Sequence, residues 1–346
     1  MAYPNKEDEK QIDPTASERK KDHIELAFRS KVSHHNIDQR FYYEPILSSH
    51  PEDYSNLALT FLGKSFGAPI WVSSMTGGTE LAKTINRNLA TACGEYGLGM
   101  GLGSCRQLLY SDEFLEDFNI RKYMGDQPLY INLGIAQIEQ LLNNNDSVRI
   151  KELINKLDAD GLIIHVNPMQ EWLQPEGDRF RQSPIDTIKR VIDIADFKII
   201  VKEVGQGMGP ASLKSLLALP LEAIDFAANG GTNFALLEIL RSSETKAENY
   251  NNLAHLGHSA EEMISFTNQI YKESPSSVIC KQIIVSGGVS DFLDGYYHIQ
   301  KSALPAIYGQ ASGFLKHAMD SYEILQNYVD LQIKGLSLAK AFLTAK

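Results

Sequence analysis

Cysteine is scarce: three in 346 residues, Cys93, Cys105 and Cys280, with no CxxC pair. An odd, widely spaced set supplies neither a disulfide framework nor the ligand spacing of a thiolate zinc site, and a reducing cytoplasm suits it. Long apolar runs are also missing. None approaches the roughly 20 residues that cross a bilayer, so no membrane association is expected. The opening Met1-Ala2-Tyr3-Pro4-Asn5-Lys6 has no apolar core, so no secretory signal is expected. Basic residues are in deficit, 33 against 43 acidic, for a net charge of −10. A chain of that sign lacks the basic footprint of a general nucleic-acid binder, so any anion must be met by a few local cations.

What is present is a rhythm. Eight short apolar, β-branched runs recur at 69–75, 98–103, 128–134, 161–167, 197–204, 223–227, 281–288 and 306–309. Each reads as a parallel strand buried on both faces. Helical patterns fill most gaps: 80–96 ending at Gly97, then 135–157, 184–195, 211–218, 233–241, 259–272 and 291–303. Eight alternating units favour a (β/α)₈ TIM barrel over an open doubly wound sheet. Residues 69–346 form that barrel with C-terminal helices over 313–343. Residues 1–68 form an N-terminal arm and extension, with 1–18 polar and expected to be mobile and 23–68 placed to cover the barrel bottom. The connections 168–183 and 242–258 are long for βα loops, and long loops in compact domains are commonly functional.

Barrel active sites lie at the C-terminal ends of the strands, and polar and glycine residues gather there after all eight runs. Gly287-Gly288 and Gly309 follow strands seven and eight, where barrels often hold a phosphate on converging backbone N–H groups. His165 and Asn167 stand two apart, on one face of strand four. Gln170 and Glu171 follow at once, and Glu171 is either a solvated loop charge or a Mg²⁺ ligand beside a phosphate. Lys202 interrupts an apolar strand. A buried lysine is costly without an anionic or electron-rich partner, whereas an early strand end would leave it exposed. By composition alone Arg19-Lys20-Lys21 is a solvated charge run.

Taken in order, Arg19-Lys20-Lys21-Asp22-His23, Met75-Thr76-Gly77-Gly78, Gly103-Ser104-Cys105-Arg106, Asn132-Leu133-Gly134, His165-Val166-Asn167 with Gln170-Glu171, Lys202-Glu203-Val204-Gly205, Gly230-Gly231-Thr232-Asn233-Phe234 and Ser286-Gly287-Gly288 resemble the motifs of the type 2, flavin-dependent isopentenyl-diphosphate delta-isomerases. The likeness runs from Arg19 to the barrel end. It implies a homo-oligomer, tetramer or octamer, that uses FMN, Mg²⁺ and NADPH as reductant to interconvert isopentenyl and dimethylallyl diphosphate. It implies FMN contacts from Met75, Thr76, Gly77, Ser104, Asn132, Lys202 and Thr232, with the FMN phosphate held by Gly287, Gly288, Gly309, Gln310 and Ala311. It implies substrate contacts from Arg19, Lys20, Arg106, His165, Asn167 and Gln170, with Gln170 assisting reduced FMN in the proton transfer. Glu171 would hold the metal, and His23 falls in a motif without an assigned role. The pattern departs at Ala227-Ala228, where the family carries a hydroxyl near the flavin phosphate. A hydrogen bond to a charged group is worth about 1.5–3 kcal/mol, so weaker flavin binding is expected. It departs again at Ala303-Leu304-Pro305-Ala306, ahead of Gly309.

Two other readings compete. An FMN-dependent 2-hydroxy-acid oxidase has a similar barrel and would need a histidine base beside a carboxylate-clamping arginine. His255 and His258 stand in the right region, with no matching arginine nearby. A catalytically idle flavin-binding barrel would have no use for the Gln170-Glu171 pair.

Overall fold

The computed structural model describes residues 15–74, 77 and 80–346. They divide between Phe41 and Tyr42 into two units, so residues 42–68 go with the barrel, earlier than the boundary drawn from the sequence. The first unit carries the helix Ala16–Leu26. Its first turn takes in residues 16–18, the end of the stretch expected to be mobile. The run is rich in good helix formers, and Lys21 and Glu25 pair at 3.7 Å one turn apart. Residues 1–14 lie outside the described set.

The second unit is a closed barrel of eight parallel strands. They are β1 (Ile70–Val72), β2 (Gly99–Ser104), β3 (Leu129–Gly134), β4 (Gly161–His165), β5 (Lys198–Lys202), β6 (Ala223–Asp225), β7 (Ile283–Ser286) and β8 (Ala306–Gln310). All eight fall within or beside the runs read from the sequence, and the barrel closes where β8 pairs with β1. The helix Glu80–Tyr96 has the expected bounds, and Gly97, at φ +68°, turns the chain out of it. Helices Pro168–Leu173, Pro184–Ile194 and Pro210–Leu217 begin on proline, whose missing N–H costs nothing there. Ser259 and Glu262 form a full capping box on Ala260–Glu273. The single helical stretch expected over 135–157 is two helices, Ile135–Asn143 and Val148–Lys156. The break falls on Asn143-Asn144-Asn145-Asp146, where Asn145 takes φ +56° as asparagine readily does. The region 313–343 likewise splits into Ser312–Ala318 and Tyr322–Phe342. Among the described residues no helix is long and apolar enough to cross a membrane.

A hairpin seals the bottom of the barrel. Strands Leu59–Phe61 and Lys64–Phe66 pair antiparallel across the two-residue turn Leu62-Gly63, both at positive φ, as a tight hairpin turn of this hand requires. Phe61, Leu62 and Phe66 are buried against Trp71, Tyr130, Ile163, Ile200, Ile284 and Ile307, one from each of six barrel strands. The buried backbone of Leu62 is satisfied by side chains at the starts of β5 and β7. Leu62 N–H donates to Gln282 Oε1 at 2.8 Å, and Lys198 Nζ donates to Leu62 O at 2.6 Å. Leu62 holds its positive φ, a costly conformation for a branched residue, because burial and these two bonds fix it. Residues 59–66, within the stretch 23–68 read as an extension, are the ones packed at the barrel bottom.

Two outcomes follow from this packing. Phe61→Ala empties a fully buried ring position and lowers unfolding free energy by about 3–5 kcal/mol, read from chemical denaturation. All three cysteines are buried and free, and burial pushes the Cys105 and Cys280 thiols up to about 12 and Cys93 higher. At pH 8 the native protein is therefore inert to a thiol-specific reagent, while the unfolded chain titrates as three thiols.

Candidate active site

Strand register brings the chemistry together. Gly134 pairs with His165, His165 with Lys202 and Lys202 with Asp225, so β3 to β6 end in one layer at the barrel mouth. Paired residues in a parallel sheet point to the same side, which groups a histidine, a lysine and an aspartate.

One half of the mouth is built on β3, β4 and the turn after β4. His165 Nδ1 lies 2.6 Å from Asn132 Oδ1. An amide oxygen only accepts, so Nδ1 carries the proton and Nε2 holds a lone pair. Burial and the Lys202 charge push the His165 imidazole down to about 3, so it is neutral across the physiological range. Asn167 is buried just before the short helix Pro168–Leu173, with no side-chain bond to that helix's backbone. Its Nδ2 donates to Gln170 Oε1 at 3.0 Å and to Glu171 Oε1 at 3.1 Å, while its Oδ1 is buried with no partner. Glu171 is 6% exposed, and its Oε2 accepts the Asp178 N–H at 2.6 Å. Asp178 in turn accepts from Gln137 at 2.8 Å and lies 3.4 Å from the exposed guanidinium of Arg106. Thus Arg106, Asn167, Gln170 and Glu171 form one connected set, with Asp178 as the link that sequence reading missed. Its only signal was its place in the long 168–183 loop. Among the described residues no cluster of three or more His, Cys, Asp or Glu side chains could hold a metal, so Glu171 offers one carboxylate.

The other half is a cleft of about 170 Å³ between the ends of β5 to β8 and β1, with Lys202 at the junction. Two glycine loops form its floor. Gly287 sits at φ +89°, and a Cβ there would lie 2.0 Å from Ala228 O; Gly288, at φ +73°, faces Gly230. Backbone therefore meets backbone, and no side chain fills the cradle. Thr232 and Ala311 line the cleft, as does Gly309, whose position inside β8 also gives Ser73 Oγ room. Gln310 is committed elsewhere: its Nε2 donates to Val289 O at 3.2 Å and its Oε1 accepts from Tyr328 at 3.1 Å. Ser73 and Ser74, also missed in the sequence, line the cleft, and both hydroxyls are buried without a partner.

Lys202 is 7% exposed, so the strand does not end early, and Nζ donates to Glu203 O at 2.7 Å. The Glu203 carboxylate turns to the backbone instead. Its Oε2 accepts N–H bonds from Gly205, Gln206 and Gly207 at 2.6–3.0 Å and shapes that loop. Asp225 is fully buried. Burial pushes its carboxyl up, against the pull of Lys202 and the Ser286 hydroxyl that it accepts.

The remaining expected residues are scattered or undescribed. Ser104 is exposed at the end of β2, paired in register with Asn132. Gly77 is needed for space, since a Cβ there would meet the Phe118 ring at 2.2 Å. Met75 and Thr76 lie outside the described residues. Arg19, Lys20 and His23 are exposed on the helix Ala16–Leu26 of the first unit.

Comparison with known proteins places this mouth in context. No family model matches the chain. Isopentenyl-diphosphate delta-isomerase of Rickettsia africae (strain ESF-5) is 33% identical over 328 residues, covering 93% of this chain and 92% of that protein. The Nostoc sp. (strain PCC 7120 / SAG 25.82 / UTEX 2576) isopentenyl-diphosphate delta-isomerase is 34% identical over 324 residues, covering 92% and 89%. The chain belongs to the isopentenyl-diphosphate delta-isomerase family. Solved structures share its fold at low identity. A mandelate oxidase mutant with the monooxide FMN adduct matches with TM-score 0.53 and 11% identity, covering 89% of each chain. A flavocytochrome b2 mutant with pyruvate bound matches at 0.58 and 13%, covering 87% of this chain and 72% of the other. Against the delta-isomerase pattern, the hydroxyl expected at 227 is absent, and Ser286 Oγ instead takes the Ala227 N–H at 2.9 Å. Ala227 itself holds φ +42°, a strained value for a residue with a Cβ.

His165 supplies the pH test for this delta-isomerase mouth. Its native pKa lies below the unfolded value near 6.5, so between roughly 3 and 6.5 the unfolded chain binds the extra proton and stability falls as pH falls. In the ligand-free protein the His165 ring resonances stay those of neutral imidazole down to pH 5. The drop in Tm from pH 7 to pH 5 is smaller in His165→Asn than in the parent. Titration of His165 near 6.5 would show that water reaches the ring.

Proposed function

We propose that this chain is a type 2 isopentenyl-diphosphate delta-isomerase, interconverting isopentenyl and dimethylallyl diphosphate with FMN, Mg²⁺ and NADPH as reductant. The observation that carries the reading is the cleft beside Lys202. It combines two buried, partnerless hydroxyls on Ser73 and Ser74 with a glycine cradle that excludes side chains. These features fit a flavin: a cradle for its phosphate, hydroxyls and Lys202 for a polar ring edge, and Thr232 and Ala311 at the rim. Because Gln310 is spent on Val289 and Tyr328, it braces the phosphate loop, and the backbone around it makes the contact.

The reaction moves a proton across an unactivated alkene and calls for an acid and a base at a group without charge. No side-chain pair at this mouth offers that couple. Reduced FMN supplies it, and the protein contributes position and electrostatics. Arg106, exposed at this mouth, neutralises charge on the diphosphate. Asn167 fixes Gln170 and Glu171 side by side, so the Gln170 amide N–H groups face the substrate and Glu171 holds Mg²⁺ against the diphosphate oxygens. A diphosphate oxygen beside His165 Nε2 needs a donor, so substrate binding draws a proton onto this neutral ring. The exposed apolar side chains of Ile24, Phe28, Val32, Ile46 and Leu47 support a homo-oligomer in which other copies cover them.

The oxidase reading finds no support at the mouth. His255 is exposed, and His258 packs edge-on against Phe266 at 5.3 Å, outside the cleft lining. The nearest late arginine, Arg241, is paired with Glu238 and Glu176.

The test is an anaerobic assay of purified protein with FMN, NADPH, Mg²⁺ and isopentenyl diphosphate, with each component omitted in turn. Dimethylallyl diphosphate forms only when reduced FMN and Mg²⁺ are both present. Glu171→Gln loses about tenfold or more of the Mg²⁺-dependent rate, at least 1.4 kcal/mol, while FMN remains bound. Full activity in Glu171→Gln would remove the metal role, and flavin bound without any product would return the idle barrel.

A further inference from the structure

The buried ammonium of Lys202 has no counter-ion in direct contact among the described side chains, although two carboxylates, Glu203 and Asp225, stand near it. His165, on β4, is neutral. Glu203, next in the chain, has its Oε2 occupied by three backbone N–H groups of the loop 205–207. Asp225, the register partner of Lys202 on β6, is fully buried. One of its oxygens accepts the Ser286 hydroxyl, and Oδ2 is buried with no partner. Ser286 is fixed in turn by the Ala227 N–H at 2.9 Å. A carboxylate locked in place on one oxygen and bare on the other, on the strand beside a dehydrated ammonium, is arranged to act through its charge.

We propose that Asp225 is the counter-charge of Lys202: a positioning residue that keeps Lys202 an ammonium and holds Nζ at the cleft, with Ser286 aligning it. The pairing stands on the ligand-free geometry; its consequence for flavin rests on the reading of the cleft given above. A desolvated lysine alone readily gives up its proton. With Asp225 beside it, Lys202 presents positive charge to whatever occupies the cleft, at a mouth where Arg106 is already drawn toward Asp178. Neutral Asp225 would instead be a buried acid with no influence on Lys202. Asparagine has the shape of that protonated acid, so Asp225→Asn separates the two cases.

The decisive experiment uses the full-length chain freed of cofactor. Trace acetylation by acetic anhydride is followed from pH 6 to 10 by mass spectrometry of the Lys202 peptide, with exposed Lys122 as internal reference. In Asp225→Asn the Lys202 midpoint falls by about one pH unit or more, so acetylation at pH 8 rises about tenfold. An unchanged midpoint in a folded Asp225→Asn protein overturns the proposal. Should that variant unfold, Lys202→Met/Asp225→Asn provides the second measurement. A charge pair predicts that removing both charges recovers most of the lost Tm, because the stranded ammonium is gone. No recovery in the double variant also overturns it, making Asp225 a packing residue. In the cofactor-loaded enzyme, Asp225→Asn shifts the alkaline limb of kcat to lower pH and weakens FMN retention above pH 8. If the wild-type chain retains no FMN, the flavin reading fails while acetylation still decides the pairing.

Discussion

A ring of eight parallel strands stays dry only if one end is stoppered, and the rest of this structure depends on how that is done. The Leu62-Gly63 hairpin places two phenylalanines and a leucine under the ring, and Lys198 and Gln282 pair its turn. With that end closed by apolar packing, the opposite end is free to carry polar groups that would otherwise lie in the core. The layer of His165, Lys202 and Asp225 is therefore tolerable where it is: at the rim, next to a cleft, above a sealed floor.

Electrostatics at the rim run opposite to those of the whole chain. The protein carries a net charge of −10, yet the charged groups nearest the cleft are arranged around a cation. Three of the carboxylates here are tied into local geometry. Glu203 shapes a loop through three N–H bonds, Glu171 is pinned by Asn167 and Asp178, and Asp178 tethers Arg106. An anionic ligand thus meets oriented donors, while Glu203 faces backbone N–H groups and Asp178 faces Gln137 and Arg106.

Much of this was legible in the sequence because its signals are periodic or local. Eight apolar runs identified eight strands, and His165, Asn167, Gln170 and Glu171 sit together because seven residues of chain cannot separate them far. What escaped was long-range. Asp178 joins Arg106 to Glu171 only after folding. Ser73 and Ser74 look like ordinary polar residues until their hydroxyls are seen without partners. Asp225 interrupts an apolar strand as plainly as Lys202 does, but its meaning comes from register, which the sequence does not display. Gln310 stands where expected, but its amide is consumed by Tyr328 from a distant helix. The break at Asn143–Asp146 was visible as a cluster of turn residues and was masked by the helical pattern on either side.

The hairpin stopper also bears on how the chain is made. Its turn waits for Lys198, 136 residues later, and Gln282, 220 residues later. During synthesis the hairpin emerges long before the strands it seals, carrying Phe61 and Phe66 with nothing to cover them. Loop closure over such spans is slow, and aggregation competes for as long as it lasts. The charged and polar neighbours Lys64 and Ser65, set between the two aromatic residues, break what would otherwise be a continuous apolar segment. They guard this stretch of the nascent chain until β7 arrives.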